Sequence, residues 1–496
     1  MIEKKRTPPG VLFFIDGRTF LANIGKVPHI AGPDIDQTPL NRRSFLQVTT
    51  SAFVACSLPP RAQTRSTSSR PRPSPSQLAW QRDELALFLH FGVNTFTDRE
   101  WGDGHEDPSI FSPSALDARQ WARAARNAGA RALILTAKHH DGFCLWPTRT
   151  TGHSVAASPW RLGQGDVVRE FVDACHAEGL KAGLYLSPWD RNNPAYGDSP
   201  KYNDLYCDQL TELLTRYGPI AEVWFDGANG EGPNGKRQVY DWPRFFGLVR
   251  QLQPGAVMFS DAGPDVRWCG NEKGTAGDPN WSTVNPDVVT FPGADGPGIT
   301  DALQHGDRNG TVWRPAEVDV SIRPGWFYHP AEDDRVRTVD NLESLHFSSV
   351  GRNGKLLLNV PPTREGLLHS TDVARLADVR ARLTSLFEHD LARDARRAYS
   401  PIDPEVKIDL GRPVTIGVAR LAEDITSGQS VARYTLYGAA DRDWKVLSRG
   451  STIGYAKLDR FEPVTVRRVR LAIEDAAGMP QGISVKLYSP FGPLAI

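Results

Sequence analysis

Thiols and thioethers are scarce in this chain: 496 residues include five Cys and three Met. Five cysteines in so long a chain, with no CxxC pair among them, do not make a disulfide scaffold. Neither sign of charge is in excess, since Lys+Arg and Asp+Glu number 58 each and the pI is near 7.2. A nucleic-acid binder usually carries a basic footprint, and none is present. No stretch approaches the roughly 20 uninterrupted apolar residues of a membrane span. No GxGxxG follows an apolar run and no P-loop occurs, so dinucleotide and nucleoside-triphosphate readings lose their main support. What the chain has is 40% hydrophobic residues, 13 Trp, 44 Gly and 38 Pro. That is material for a large core and for loops with aromatic-lined pockets, in about two or three domains.

Residues 1–56 read as an N-terminal extension with a targeting signal. Asn41-Arg42-Arg43-Ser44-Phe45-Leu46-Gln47 resembles a twin-arginine export signal, and the weakly apolar run from Leu46 to Cys56 suits its h-region. Export from a bacterial cytoplasm to the periplasm or cell surface is the expectation. Val54-Ala55-Cys56 also resembles a lipoprotein cleavage site, which would place a lipid anchor on Cys56. The 40 residues ahead of the signal suggest initiation at Val27 or Leu40. Residues 57–79 form a Ser/Pro/Arg tract with little to bury, a disordered linker by composition.

From residue 80 short apolar runs alternate with helix-period segments. The runs are Leu85–Phe91, Ala132–Ala137, Leu184–Leu186, Val223–Phe225, Val257–Phe259, Val318–Ile322 and Leu356–Val360. Between them Leu116, Trp121, Ala125 and Ala128 share one helical face, and Val373, Leu376, Val379, Leu383 and Leu386 share another. Doubly apolar strands joined by helices predict an α/β fold with a parallel sheet covered on both sides. Over residues 80–390 a (β/α)8 barrel is expected, with the eighth strand within Val284–Phe291; an open doubly wound sheet is the alternative. Residues 391–399 read as a connector. Over 400–496 the period changes to two, as in Tyr434/Leu436 and Val469/Leu471/Ile473, which predicts an antiparallel β-sandwich.

Barrel active sites sit past the C-terminal ends of the strands, and here those ends are rich in polar and aromatic groups. They offer His90, Glu100 and Trp101, then His139, His140 and Asp141, then Trp189 and Asp190, then Asp226. The later ends lead to Arg267 through Glu272, and to Glu317, Asp319 and Trp326. One Asp after a strand is ordinarily a helix cap, and one His is ordinarily a core residue. Six such ends at one mouth exceed what capping explains. Trp faces stack on sugars, His and Glu bond hydroxyls, and two carboxyl groups can cleave a glycosidic bond. A metal-dependent hydrolase using His90, His139, His140 and Asp226 as ligands, or a catalytically inert sugar-binding protein, stays open on the residue types alone.

His90-Phe91-Gly92, Glu100-Trp101, His139-His140-Asp141-Gly142-Phe143 and Trp224-Phe225-Asp226-Gly227 together resemble the α-L-fucosidases of glycoside hydrolase family 29. Asp265–Glu272 and the run Arg314–His329 resemble the branch that acts on α-1,3- and α-1,4-linked fucose. The resemblance implies a retaining enzyme with Asp226 as nucleophile and Glu272 as acid/base; Glu317, from its place near a strand end, is the reserve candidate for the latter role. It also implies a fucose pocket lined by His90, Glu100, Trp101, His139, His140 and Trp326, with Trp189 and Arg267 as further contacts. No metal or cofactor is implied, and the expected partner is a fucosylated glycan. The C-terminal segment resembles discoidin-like sandwich modules, some of which bind sugars.

Overall fold

The computed structural model describes residues 70–400 and 404–490, so the twin-arginine motif, Cys56 and most of the Ser/Pro tract lie outside the described residues. Eight parallel strands close into a barrel: β1 (Leu85–Leu89), β2 (Ala132–Lys138), β3 (Lys181–Leu186), β4 (Glu222–Trp224), β5 (Val257–Ser260), β6 (Val266–Trp268), β7 (Ala316–Ser321) and β8 (Lys355–Asn359). Each strand neighbours the next in sequence, and β8 pairs with β1 from Leu85↔Leu356 to Phe88↔Asn359. Helices Ala118–Ala128, Val167–Ala177, Ser199–Arg216, Trp242–Leu252, Val339–Ser348 and Ser370–Phe387 accompany the strands. Asp117, Asp166 and Asp241 accept backbone N–H bonds as N-caps, so these aspartates have the ordinary role. Trp121, Ala125 and Ala128 are buried on the first of these helices; Leu116 precedes its cap.

Period-two alternation sorts the strand residues between two cores. Leu87, Leu89, Leu133, Leu135, Leu184 and Val223 face outward into the helical layer. Ala86, Phe88, Ile134, Tyr185, Trp224, Phe259, Val266 and Leu357 fill the barrel interior, with Trp80 packed among them. At the strand starts Lys355 Nζ lies 3.1 Å from Glu222 Oε2 and 3.7 Å from Glu317 Oε2, and over the Trp80 ring. These buried groups form one cluster at the N-terminal end of the barrel.

The sixth strand is not where the sequence predicts it. Val266–Trp268 follows β5 after a five-residue turn, and pairs with it in parallel from Phe259↔Val266. Asp265 makes the turn: its backbone N–H donates to Met258 O at 3.3 Å, and its Oδ2 accepts from Met258 N at 2.9 Å. With no helix between β5 and β6, the alternation that marks the other strands is missing here. Of the predicted segment only Val284 is in a strand, Thr283–Val284, which pairs antiparallel with Val312–Trp313 outside the barrel.

The C-terminal strands form one hydrogen-bonded antiparallel sheet: Arg396–Ser400, Glu405–Ala422, Val431–Ala439, Lys445–Gly450, Lys457–Ala476 and Ser484–Tyr488. Register breaks at Asp409/Val414 and Ile416/Val418 bend the two long strands. Both halves of the bent sheet contribute to one apolar core, including Val406, Ile408, Leu421, Leu436, Leu471 and Leu487. Buried amides bind this sheet to the barrel: Gln429 Oε1 accepts from Ser282 N at 2.6 Å and from Asn353 Nδ2 at 3.3 Å. Cys144, Cys175, Cys207 and Cys269 are buried free thiols.

Candidate active site

The alternation that puts Phe88, Trp224 and Leu357 inside the barrel also puts His90, Asp226 and Asn359 inside, two residues further toward the mouth. His90 Nδ1 lies 2.9 Å from Asn359 Oδ1. The Asn359 amide nitrogen donates to Trp326 O at 2.8 Å and to Ser321 Oγ at 2.9 Å, which fixes its oxygen as the acceptor. His90 therefore carries its proton on Nδ1 and presents Nε2 as an acceptor. Burial, reinforced by His140, holds its pKa down to about 3, so the ring is neutral.

His140 is set by the same logic. The Ser187 hydroxyl donates to Trp189 O at 2.8 Å, so its oxygen accepts from His140 Nδ1 at 2.7 Å. That leaves His140 Nε2 as an acceptor, 3.9 Å from Asp226 Oδ2. Burial lowers the His140 pKa against the pull of Asp226. His139 stacks between His140, at 4.2 Å, and Tyr185, at 5.8 Å between ring centroids. Its Nδ1 is buried with no hydrogen-bond partner among the described residues, and burial pushes its pKa well down. Three neutral imidazoles thus form one wall.

Asp226 accepts from Tyr185 Oη at 3.1 Å and from Ala228 N at 2.7 Å. Tyr185 is held by the aromatic interior, with Trp224 at 5.3 Å and Trp224 itself stacked on Phe259 at 4.0 Å. Glu272 reaches the same mouth from the loop after β6. Asn271 pins that loop by donating to Thr275 O at 2.9 Å and to Gln304 Oε1 at 3.0 Å. Glu272 lies at the solvent edge, with protein around the rest of its carboxyl. Partial burial, with the charges of Asp226 and Glu100, raises its pKa above the usual glutamate value, against the opposing Trp326 hydrogen bond. Trp326 Nε1 donates to Glu272 Oε2 at 3.3 Å. Trp101, half exposed, and Trp189 meet edge-to-face at 5.9 Å beside His140.

Among the described residues no group of three or more His, Cys, Asp or Glu is placed to hold a metal ion. In particular His90 and His140 turn their Nδ1 atoms to Asn359 and Ser187 rather than to each other.

Residues 90–385 match the family model described as Alpha-L-fucosidase. The chain belongs to the alpha-L-fucosidase family. It is similar to an Arabidopsis thaliana protein named Alpha-L-fucosidase 1, at 42% identity over 84% of this chain and 87% of that one. Among solved structures it resembles a glycoside hydrolase 29 family member from a rumen bacterium, with 41% identity and a TM-score of 0.80, over 86% of this chain and 78% of that one. It also resembles a Ruminococcus gnavus family 29 fucosidase in complex with fucose, with 30% identity and a TM-score of 0.77, over 85% and 96% of the two chains. The enzyme is an alpha-L-fucosidase, a glycoside hydrolase, and its substrate is a fucosylated glycan.

Two residues singled out from the sequence stand apart from the fucosidase mouth. Arg267 lies between the inward Val266 and Trp268, so alternation turns it outward. Its guanidinium donates to Leu303 O at 3.0 Å, to Asn280 Oδ1 at 2.7 Å and to Arg314 O. It is a buried pin for the β6–β7 connection, not a sugar contact. Arg267→Met should strand these three acceptors and cost roughly 2–4 kcal/mol of stability. A lowered thermal unfolding midpoint with unchanged KM is the expected result; an unchanged midpoint with raised KM would restore the sugar-contact role. Glu317 is fully buried near the barrel floor and accepts from Trp224 Nε1 at 2.9 Å. Burial, with Glu222 beside it, pushes its pKa well up.

Five residues at the mouth are not among the sequence candidates: Tyr185, Ser187, Ser321, Asn359 and Asp261. Tyr185 was hidden inside an apolar run. Asn359, the one polar residue inside the run Leu356–Val360, is a visible signal.

Proposed function

We propose that this fucosidase is a retaining exo-enzyme with Asp226 as nucleophile and Glu272 as acid/base. The observation that carries the reading is the contrast between the two carboxyl groups. Asp226 is oriented from inside the barrel by Tyr185 and the Ala228 N–H, while Glu272 hangs at the mouth with a raised pKa. A raised pKa keeps the proton that an acid must donate. In the first displacement an Asp226 oxygen bonds to the anomeric carbon, the bond to the departing glycan breaks, and the Glu272 proton goes to its oxygen. In the second, Glu272 takes a proton from water, the water oxygen bonds to the anomeric carbon, and Asp226 leaves. The Nε2 atoms of His90 and His140 are acceptors for sugar hydroxyls, and Trp101, Trp189 and Trp326 offer faces for stacking. Trapping the covalent intermediate and locating it by peptide mass spectrometry tests the reading. A label on any residue other than Asp226 rejects it.

The substrate class we infer is branched glycans with α-1,3- or α-1,4-linked fucose. Support comes from the Glu272 loop and from Arg323–His329, which resemble the branch with that preference. These loops lie side by side, joined by Trp326 and Glu272, where the sugar next to fucose would sit. Binding energy from that neighbour is usable in the transition state. Removing the branching galactose should lower kcat/KM by about tenfold or more, or at least ~1.4 kcal/mol. Hydrolysis rates of a Lewis-type trisaccharide, its degalactosylated disaccharide and 2′-fucosyllactose measure this. Equal rates on all three would discard the linkage preference and leave the fucosidase activity untouched.

A further inference from the structure

The loop that carries Trp326 ends in a cation that the reaction above does not use. His329 lies between two carboxylates: Nδ1 is 2.8 Å from Asp98 Oδ1, and Nε2 is 2.7 Å from Glu100 Oε1. Carboxylate oxygens only accept, so both ring nitrogens must carry hydrogen for both bonds to form. The geometry therefore calls for an imidazolium. Glu332 adds a third negative charge nearby, and Arg364 faces Asp98 at 3.9 Å. Although partial burial opposes it, the hydrogen bonds to Asp98 and Glu100 raise the His329 pKa above the usual histidine value.

Glu100 spends most of its acceptor capacity on the same loop. Oε2 accepts from Trp326 N at 2.8 Å, and Oε1 accepts from Phe327 N at 3.0 Å as well as from His329. A side chain at position 325 would collide with Glu100 Oε1, so Gly325 is what lets the loop close onto the carboxylate. From the other side Asn359 Nδ2 donates to Trp326 O at 2.8 Å, and Ser321 Oγ donates to Gly325 O at 2.7 Å. Trp326 is thus gripped along its backbone, and its indole N–H is the donor to Glu272.

We propose that His329 is a positioning residue for Glu272: clamped between Asp98 and Glu100, it fixes the Trp326 loop, and Trp326 orients the acid/base carboxyl. Glu100 acts in this arrangement through the loop. The proposal rests on the role of Glu272 given above, and it has a signature that a merely structural histidine lacks. Misplacing a proton donor harms only leaving groups that need a proton.

The test measures kcat/KM on an unactivated fucosylated oligosaccharide and on 2,4-dinitrophenyl α-L-fucoside, whose leaving group departs unassisted. The proteins are wild type, His329→Gln, Asp98→Asn and Glu272→Ala. His329→Gln should lose about tenfold or more on the oligosaccharide, mostly in kcat, and less than about threefold on the aryl fucoside. Asp98 is half exposed, so Asp98→Asn should fold normally and show the same selective loss, smaller in size. A second readout is the alkaline limb of kcat/KM. The Trp326 N–H favours ionised Glu272, which also faces Asp226, Glu100 and Asp319. Loosening Trp326 should raise the Glu272 pKa and move the limb to higher pH. Equal losses on both substrates, or a limb that stays in place, overturn the clamp. If Glu272→Ala itself shows no leaving-group selectivity, the acid/base assignment fails instead, and the two failures are told apart.

Discussion

Asp226→Ala should lower kcat/KM by about a thousandfold or more, equivalent to ~4 kcal/mol of transition-state stabilisation, on activated and unactivated fucosides alike. Both substrate types require a nucleophile below the sugar, whatever the leaving group. Tyr185, whose hydroxyl donates to Asp226, is a phenol whose pKa burial pushes well up, so it cannot substitute as an anion. The vacated space gives the test its second half. Azide entering it attacks the anomeric carbon once, so the product should be the inverted β-L-fucosyl azide. Kinetics on both substrates, with NMR of the azide product, check the prediction. Near-wild-type turnover, or an azide product of retained configuration, would remove Asp226 from the nucleophile role.

Much of this site was legible because a barrel turns sequence parity into geometry. Once Trp224 is interior, Asp226 must face the mouth; once Phe88 is interior, so must His90. The same rule, applied to β6, would have turned Arg267 away from the sugar. β6 itself is hard to read from the sequence: three residues, Val266–Trp268, arrive after a tight turn rather than a helix. β4, Glu222–Trp224, is as short but stands between helices in an apolar run, whereas β6 has no helix before it and Arg267 at its centre. The expectation of the remaining strand falls instead on Val284–Phe291, whose apolar residues serve a short ribbon and a loop with Phe291 exposed. Contacts between distant loops were equally hidden. Glu100 and His329 are 229 residues apart and meet only because β1 and β7 both end at the mouth.

The acidity of that mouth leads to the other large effect expected. Asp226, Asp261, Glu272 and Asp319 crowd one end of the barrel, and no lysine or arginine is paired with any of the four among the described residues. Burial, with Asp226 nearby, raises the Asp261 pKa to about 6, and burial with Glu272 and Asp226 nearby raises that of Asp319 further. Carboxyl groups so close resist ionising together, which favours the protonated state of the acid at the start of the reaction. Glu272→Ala removes that proton. On unactivated fucosylated glycans kcat/KM should fall by about a hundredfold to ten-thousandfold, the usual contribution of general acid–base catalysis. On 2,4-dinitrophenyl α-L-fucoside the first displacement needs no proton, so the fucosyl-enzyme should still form and then persist, because water lacks a base. Azide needs none, and should release it as the retained α-L-fucosyl azide with recovery of kcat. Glu317→Ala, which empties a buried position near the floor, should lose stability without showing this rescue. Azide rescue in the Glu317 variant and none in the Glu272 variant would exchange the two assignments.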